Sequence, residues 1–315
     1  MNRPTGETPQ VPPAKKHLHL LVSSVSARGH ALEVGPGVVR ALRHGGWEVT
    51  VRVTTTDDDP LRVAATSGAP YVGALGGDGF VAAVAAGVHD TASVFVPFPG
   101  GRGNDLCRSL GIGVDAHARA LVVAQLAAGG GTALEGRTTP LDGIWVERAD
   151  GSRRLALGIV SLGLDAWANR LANETWIPSG PLAYAWGALK AAVKFRGADF
   201  RAVVDGRERD LDGLLLSVSN SGYFGGGVNI VPASDPTDGR LELLHVRKVS
   251  LLRALPALIS VLAQRSTQHP LVDVIPVEAV DITAPPGMPA MADGDHIGDV
   301  PLRVRVARGV VRALV

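Results

Sequence analysis

Two glycine-rich stretches carry the residues with the clearest chemical potential. Gly76-Gly77-Asp78-Gly79 follows the apolar run YVGAL, and Pro99-Gly100-Gly101-Arg102-Gly103-Asn104-Asp105 follows SVFVPF. Glycines at a turn into a helix let backbone N–H groups approach a ligand closely, and the helix N-terminus adds positive charge; both favour phosphate. One such loop is explained equally well by a tight strand-to-helix turn. Two of them after neighbouring strands shift the balance towards a ligand. Near the end of the chain, Asp293-Gly294-Asp295 sets two carboxylates one residue apart.

These residues need a scaffold, and the hydrophobic pattern supplies one. Residues 1–16, rich in Pro, Thr, Gln and Lys, read as a disordered tail. From His17 the chain alternates: HLHLLVSS, WEVTVRVTTT, YVGALGG and SVFVPFPGG read as strands, and the segments between and after them read as helices. That alternation predicts an α/β domain with a parallel sheet over residues 17–136, whose ligands gather at the carboxyl ends of the strands. Beyond about Gly136 short extended runs separated by turn residues predict a mostly antiparallel β second domain over residues 137–285. The closing PLRVRVARGVVRALV reads as strand, turn, strand.

Composition narrows the function. With 31 Lys and Arg against 30 Asp and Glu, the net charge of +1 offers no field for nucleic acid, and no local basic patch replaces it. A single cysteine, Cys107, rules out an internal disulfide framework and suits a reducing, cytoplasmic setting; it reads as a small buried hydrophobe. No secretory signal and no apolar run of about 18 residues is present. Gly77–Ala82 fits a relaxed G-x-G-x-x-A pattern, but it follows the third strand and lacks the ribose-binding acid about 20 residues on. There is no Walker A loop, no G-x-S-x-G elbow and no zinc-like spacing.

GGDG at 76–79, PGGRGND at 99–105, GPLAY at 180–184, GGGVNIVPASDPTDGRLEL at 225–243 and DGD at 293–295 occur in the order seen in the diacylglycerol kinase catalytic-domain family, which this chain resembles over roughly residues 17–315. NAD kinases share GGDG, but their GSTAY-type motif is absent. The resemblance implies an α/β nucleotide-binding domain plus a β-sandwich, with residues 286–315 carrying DGD back to the first domain. It also implies transfer of the γ-phosphoryl group of ATP, with Mg²⁺, to a lipid hydroxyl, a reaction that depends on positioning and charge neutralisation.

On these positions the resemblance places ATP along Ser23, Ser26, Ala27, Thr54, Gly76, Gly77, Asp78, Gly79, Phe80, Gly101, Arg102, Gly103 and Asn104. It makes Asp78 an Mg²⁺-orienting carboxylate and Asp295 the general base beside Asp293, with burial next to other acids expected to raise Asp295. It puts a structural Mg²⁺ near Asp235, Asp238 and the carbonyl of Arg240, where an Asp-Gly turn is the alternative. Departures are plain: the family's N-P-x-S-G-x-G becomes Ser23–Gly29, Phe80 replaces a hydroxyl, Ala82 and Ala83 replace an amide and an acid, and Asp295 replaces glutamate. Arg102 is positioned to compensate by clamping phosphate. Two outcomes stay open, a divergent active kinase and a weakened nucleotide-binding relative. A soluble-substrate kinase is a third reading.

A lipid substrate requires peripheral contact with a membrane surface. The stretch with Trp167, Trp176, Tyr184 and Trp186, followed by Lys190, Lys194 and Arg196, fits such a contact loosely. Packing in an interdomain cleft or a homodimer contact accounts for it better.

Overall fold

The computed structural model describes residues 16–164, 166, 195–224, 226–265, 269–283, 285 and 287–315. The tail expected over residues 1–16 lies outside them except for residue 16, and so do Trp167, Trp176, Tyr184, Trp186, Lys190 and Lys194.

Strands β1 (His17–Ser23), β2 (Glu48–Thr54), β3 (Tyr71–Gly76) and β4 (Val94–Pro99) pair in parallel in the order β2-β1-β3-β4. Every residue of β3 and β4 is buried, which is why both read as unbroken apolar runs rather than alternating ones. Helices α1 (His30–His44), α2 (Pro60–Ala65) and α3 (Asp78–Val88) connect them, and α4 (Asp105–Ser109), α5 (Ala116–Ala128) and α6 (Gly131–Gly136) follow β4. The chain leaves β1 towards β2 on one side and returns to β3 on the other. The segments after β3 and β4 line a crevice at the carboxyl ends of these strands.

The same sheet continues into the second half of the chain. Strands β5 (Thr138–Arg148), β6 (Arg153–Ala156), β8 (Arg201–Val204), β9 (Arg207–Asp210), β15 (Ala279–Thr283) and β18 (Leu302–Leu314) are antiparallel, and Ala313 of β18 pairs in parallel with Phe95 of β4. Facing them is a six-stranded antiparallel sheet ordered β14 (Val272–Val277), β13 (Leu241–Arg247), β10 (Gly213–Ser219), β7 (Ile159–Gly163), β16 (Pro289–Ala292), β17 (Asp295–Asp299). Ile144, Val160, Leu216, Leu243, Val280 and Val304 fill the space between the two sheets. Each such side chain contributes about 1.5–3 kcal/mol on full burial. The expected fold class, an α/β domain with a parallel sheet joined to an antiparallel β-sandwich, is the one observed.

One expectation changes. The closing run is one strand of 13 residues, not two, with a bulge between Ala307 and Val311. The bulge holds two extra residues; Gly309 (φ 57°) lies within it, and its N–H donates to the buried Asp142 carboxylate at 2.7 Å. One of the short extended runs of the second half, RRLALGIVSLGLDA, breaks at Leu157-Gly158 into β6 and β7, which belong to opposite sheets. Asn220 fixes that break: its Nδ2 donates to the carbonyls of Leu157 (2.8 Å) and Asp142 (3.0 Å).

Candidate functional site

Asp78 opens α3 at the crevice. Its carboxylate turns towards the loop after β4, accepting the N–H of Asn104 at 3.0 Å and that of Asp105 on its other oxygen. Asn104 adopts the left-handed conformation (φ 53°), which asparagine tolerates, and its side chain brackets Gly101: Oδ1 accepts the Gly101 N–H at 2.9 Å and Nδ2 donates to the Gly101 carbonyl at 3.1 Å. The two glycine turns abut backbone to backbone. A methyl on Gly101 would lie 2.4 Å from Gly77 Cα, and one on Gly103 would lie 2.6 Å from Asp78 Oδ2.

The sandwich delivers the other carboxylates through a two-residue hairpin. Ala292 pairs with Asp295, leaving Asp293 (φ 51°) and Gly294 (φ 87°) as the turn, and Asp-Gly is a preferred pair where both residues need positive φ. Asp293 points back into its own domain and accepts the N–H groups of Leu157 (2.9 Å), Gly158 (2.8 Å) and Ile159 (3.2 Å). Gly158 is required there, because a methyl would sit 2.6 Å from Asp293 Oδ1. Asp295 faces the first domain, its carboxylate oxygens 3.6 and 3.7 Å from where a methyl on Gly79 would stand. Arg154 Nη2 donates to its Oδ2 at 2.6 Å.

Asp105 joins the halves, accepting the N–H of Gly227 at 2.6 Å and that of Gly226 at 3.4 Å. The result is a cleft of about 340 Å³ with Asp78, Arg102 and Asp105 on one wall and Ile159, Phe224 and Asp293 on the other. Burial, then the neighbouring Asp105, push the Asp78 carboxyl up to about 6 against the two N–H donors that favour its ionised form. Burial also raises Asp293, opposed by its three backbone donors and by Arg154. Asp295 departs from expectation. It is exposed and held by Arg154, because it starts a strand at the sheet edge; the burial expected for it falls on Asp78 and Asp293 instead.

Several residues expected to face nucleotide use their polar atoms internally. The Ser23 hydroxyl accepts the Ser26 N–H (3.2 Å), the Ser26 hydroxyl accepts the Gly77 N–H (2.9 Å), and Thr54 Oγ1 donates to the Val22 carbonyl (3.3 Å). These bonds tie the ends of β1 and β2 to the glycine turn. Phe80 rests on Gly76, where a methyl would lie 2.5 Å from its ring. Arg102 is exposed at the cleft and makes no hydrogen bond or ion pair among the described residues. Asp235 caps Thr237 (2.9 Å) and Asp238 caps Arg240 (2.9 Å), which is the turn alternative; none of Asp235, Asp238 and Arg240 lines the cleft. Cys107 is a buried thiol pushed up to about 12 by burial, as a structural cysteine should be.

Sequence reasoning passed over Asp105, Arg154 and the Gly227 amide. Asp105 was visible at the end of PGGRGND as the first residue of a helix. Arg154 carried no signal, since only the β5–β6 register sets it against a hairpin 141 residues away.

Comparison with known proteins agrees with this architecture. The Diacylglycerol kinase catalytic domain family matches residues 17–134, and the YegS C-terminal NAD kinase beta sandwich-like domain matches residues 158–315. A diacylglycerol kinase of Mycobacterium tuberculosis is 25% identical over 299 residues, covering 93% of each chain. A probable lipid kinase YegS-like protein of Cronobacter sakazakii is 28% identical over 298 residues, covering 89% of this chain and 90% of its own. The crystal structure of a diacylglycerol kinase from Bacillus anthracis superposes with a TM-score of 0.73 at 16% identity, over 97% of this chain and 98% of the other.

Proposed function

The chain belongs to the diacylglycerol kinase catalytic-domain family of lipid kinases, with a YegS-type sandwich, and from that premise we propose that it transfers the γ-phosphoryl group of ATP to the hydroxyl of diacylglycerol or a similar lipid. One observation carries the reading: Asp78 and Asp105 from the α/β domain meet Asp293 and Gly294 of the DGD hairpin across one cleft, with Asp295 outside its lining but next to Gly79 on the first turn of α3.

Phosphoryl transfer asks little covalent help of the protein; it asks for positioning, charge neutralisation and a proton acceptor. In our reading Asp295 is that acceptor. Arg154 occupies its Oδ2 and fixes the carboxylate's direction, which leaves Oδ1 for the lipid hydroxyl. As the hydroxyl oxygen bonds to the γ-phosphorus, the bond to the β-phosphate bridging oxygen breaks and the hydroxyl proton passes to Asp295. Arg102 supplies guanidinium donors for phosphate oxygens. Asp293, capped by three amides, positions the hairpin.

The donor set suits magnesium. Among the described residues no group of three metal-ligating side chains forms a cage, but magnesium is commonly held by one or two carboxylates with phosphate and water. Asp78 and Asp105 would hold it, two carboxylates side by side at the cleft, with burial and then the charge of Asp105 pushing the Asp78 carboxyl up to about 6. When bound, the ion would neutralise phosphate charge.

The test is transfer of labelled phosphate from Mg·ATP to a lipid panel, alongside thermal-shift measurements with Mg·ATP. Transfer to a glycerol-based lipid is expected. Nucleotide binding without transfer to any acceptor would overturn the kinase reading and leave a binding protein.

A further inference from the structure

Helix α7 (Leu251–Leu262) covers the outer face of the six-stranded sheet and leaves two large apolar side chains in solvent. Among its described side chains, Ala254 and Ala257 are fully buried and Val261 nearly so. Larger branched side chains point out. Leu255 is 51% and Ile259 55% exposed, four residues apart and therefore on one line of the helix. An apolar line left half in solvent is available to an apolar partner.

The surrounding charge is as one-sided. Residues 248–272 contain Arg253, Arg265 and Lys248, the last paired with Asp199, and no aspartate or glutamate in 25 positions, within a chain holding 30 acids in 315. Arg253 and Arg265 are exposed and make no ion pair among the described residues. No helix among these residues is long and apolar enough to cross a membrane. An apolar line flanked by cations is suited to lying in the plane of a bilayer surface, with the long arginine stems reaching the headgroups.

The helix is also joined to the cleft. The apolar cluster that seats Ala257 and Val261 contains Ile159 and is packed by Phe224, both of which line the cleft. We propose that the outer face of α7, through Leu255 and Ile259 with Arg253 and Arg265 at its flanks, docks the protein on an anionic phospholipid bilayer and so brings the cleft to its lipid substrate. This rests on the lipid-kinase reading for its purpose but not for its test.

The test uses the full chain and vesicles of phosphatidylcholine alone or mixed with phosphatidylglycerol. The wild type is expected to sediment with the mixed vesicles and more weakly with the neutral ones. The double variant Leu255→Gln, Ile259→Gln should weaken binding about 20-fold, from the two half-exposed side chains it removes. Arg253→Glu with Arg265→Glu should abolish the preference for phosphatidylglycerol, and Leu255→Trp should bind several-fold more tightly. All are expected to melt like the wild type and to phosphorylate a water-dispersed short-chain diacylglycerol at the wild-type rate. Wild-type sedimentation of the Gln double variant, or unchanged binding of Leu255→Trp, would overturn the proposal. So would a wild-type dimer that the Gln variant splits while vesicle binding persists, since the face would then join two copies. Helix-dependent vesicle binding without phosphorylation of any lipid would support the docking face and overturn the kinase reading instead.

Discussion

The carboxylate of Asp105, on the first turn of α4, accepts the backbone N–H of Gly227 at 2.6 Å, tying the α/β domain to the loop after β11 (Tyr223–Phe224). The same carboxylate is the charge that, after burial, does most to push Asp78 up to about 6. Asp105→Asn keeps an oxygen for Gly227 but removes that repulsion. If ionised Asp78 is required, kcat/KM of the wild type should fall as pH drops through about 6, and in Asp105→Asn the same limb should lie at lower pH. Stability follows the opposite sense. A carboxyl with a folded pKa near 6 and an unfolded one near about 4 binds more proton when folded, so the wild type loses stability as pH rises through that window. Asp105→Asn should lose less. A limb and a melting profile that ignore the substitution would separate the two carboxylates.

The two acids of the hairpin should fail differently. Asp293→Ala strands the amides of Leu157, Gly158 and Ile159 and places alanine at φ 51°, at a cost of about 3 kcal/mol or more in a urea unfolding experiment. Asp295 is exposed, so Asp295→Asn should unfold within about 0.5 kcal/mol of the wild type while lipid phosphorylation is nearly abolished. Asp78→Asn is expected to nearly abolish turnover as well. Full turnover in a folded Asp295→Asn protein would remove that residue as the proton acceptor.

What the residues announced and what they hid divide along local and long-range lines. The glycine turns were legible because the run before each is apolar and the segment after each is helical, and Asp-Gly at 293–294 is a turn by its own chemistry. The purpose of several glycines was not legible. Gly77 and Gly101 read as openings for phosphate, yet their N–H groups are taken by Ser26 and Asn104, and their bare Cα atoms serve to let two turns touch. Arg154 and the Gly227 amide reach the site only through strand register and interdomain packing, which no spacing along the chain encodes.

The loop after β1 carries strain that one substitution should relieve. Ala27 (φ 48°) and Arg28 (φ 61°) are left-handed before Gly29 (φ 92°), and in the family pattern S-G-x-G the position of Ala27 is a glycine. A non-glycine residue in that region costs about 1 kcal/mol. Ala27→Gly should therefore stabilise the protein by about 1 kcal/mol and raise the melting temperature by about 2–4 °C. An unchanged or lower melting temperature would mean the loop is not held in this conformation in solution.

Two glycines of the motifs should respond to alanine in opposite ways. A methyl on Gly101 meets Gly77 Cα at 2.4 Å, a backbone atom that cannot swing aside, so Gly101→Ala should lose about 2–3 kcal/mol by forcing the two turns apart. At Gly79, in the first turn of α3, φ is not positive and the nearest atoms to a methyl are the Asp295 oxygens and the Asp293 carbonyl, none closer than 3.6 Å. Alanine is a better helix former than glycine, so Gly79→Ala should be as stable as the wild type. Its methyl would nevertheless stand in the gap between α3 and Asp295, which in our reading the reacting groups must enter, and lipid phosphorylation should fall steeply. Thermal melts and transfer assays on both variants read the two effects separately. A Gly79→Ala protein with wild-type turnover would place the reacting groups elsewhere in the cleft, and would take from Asp295 the geometric argument on which its role rests.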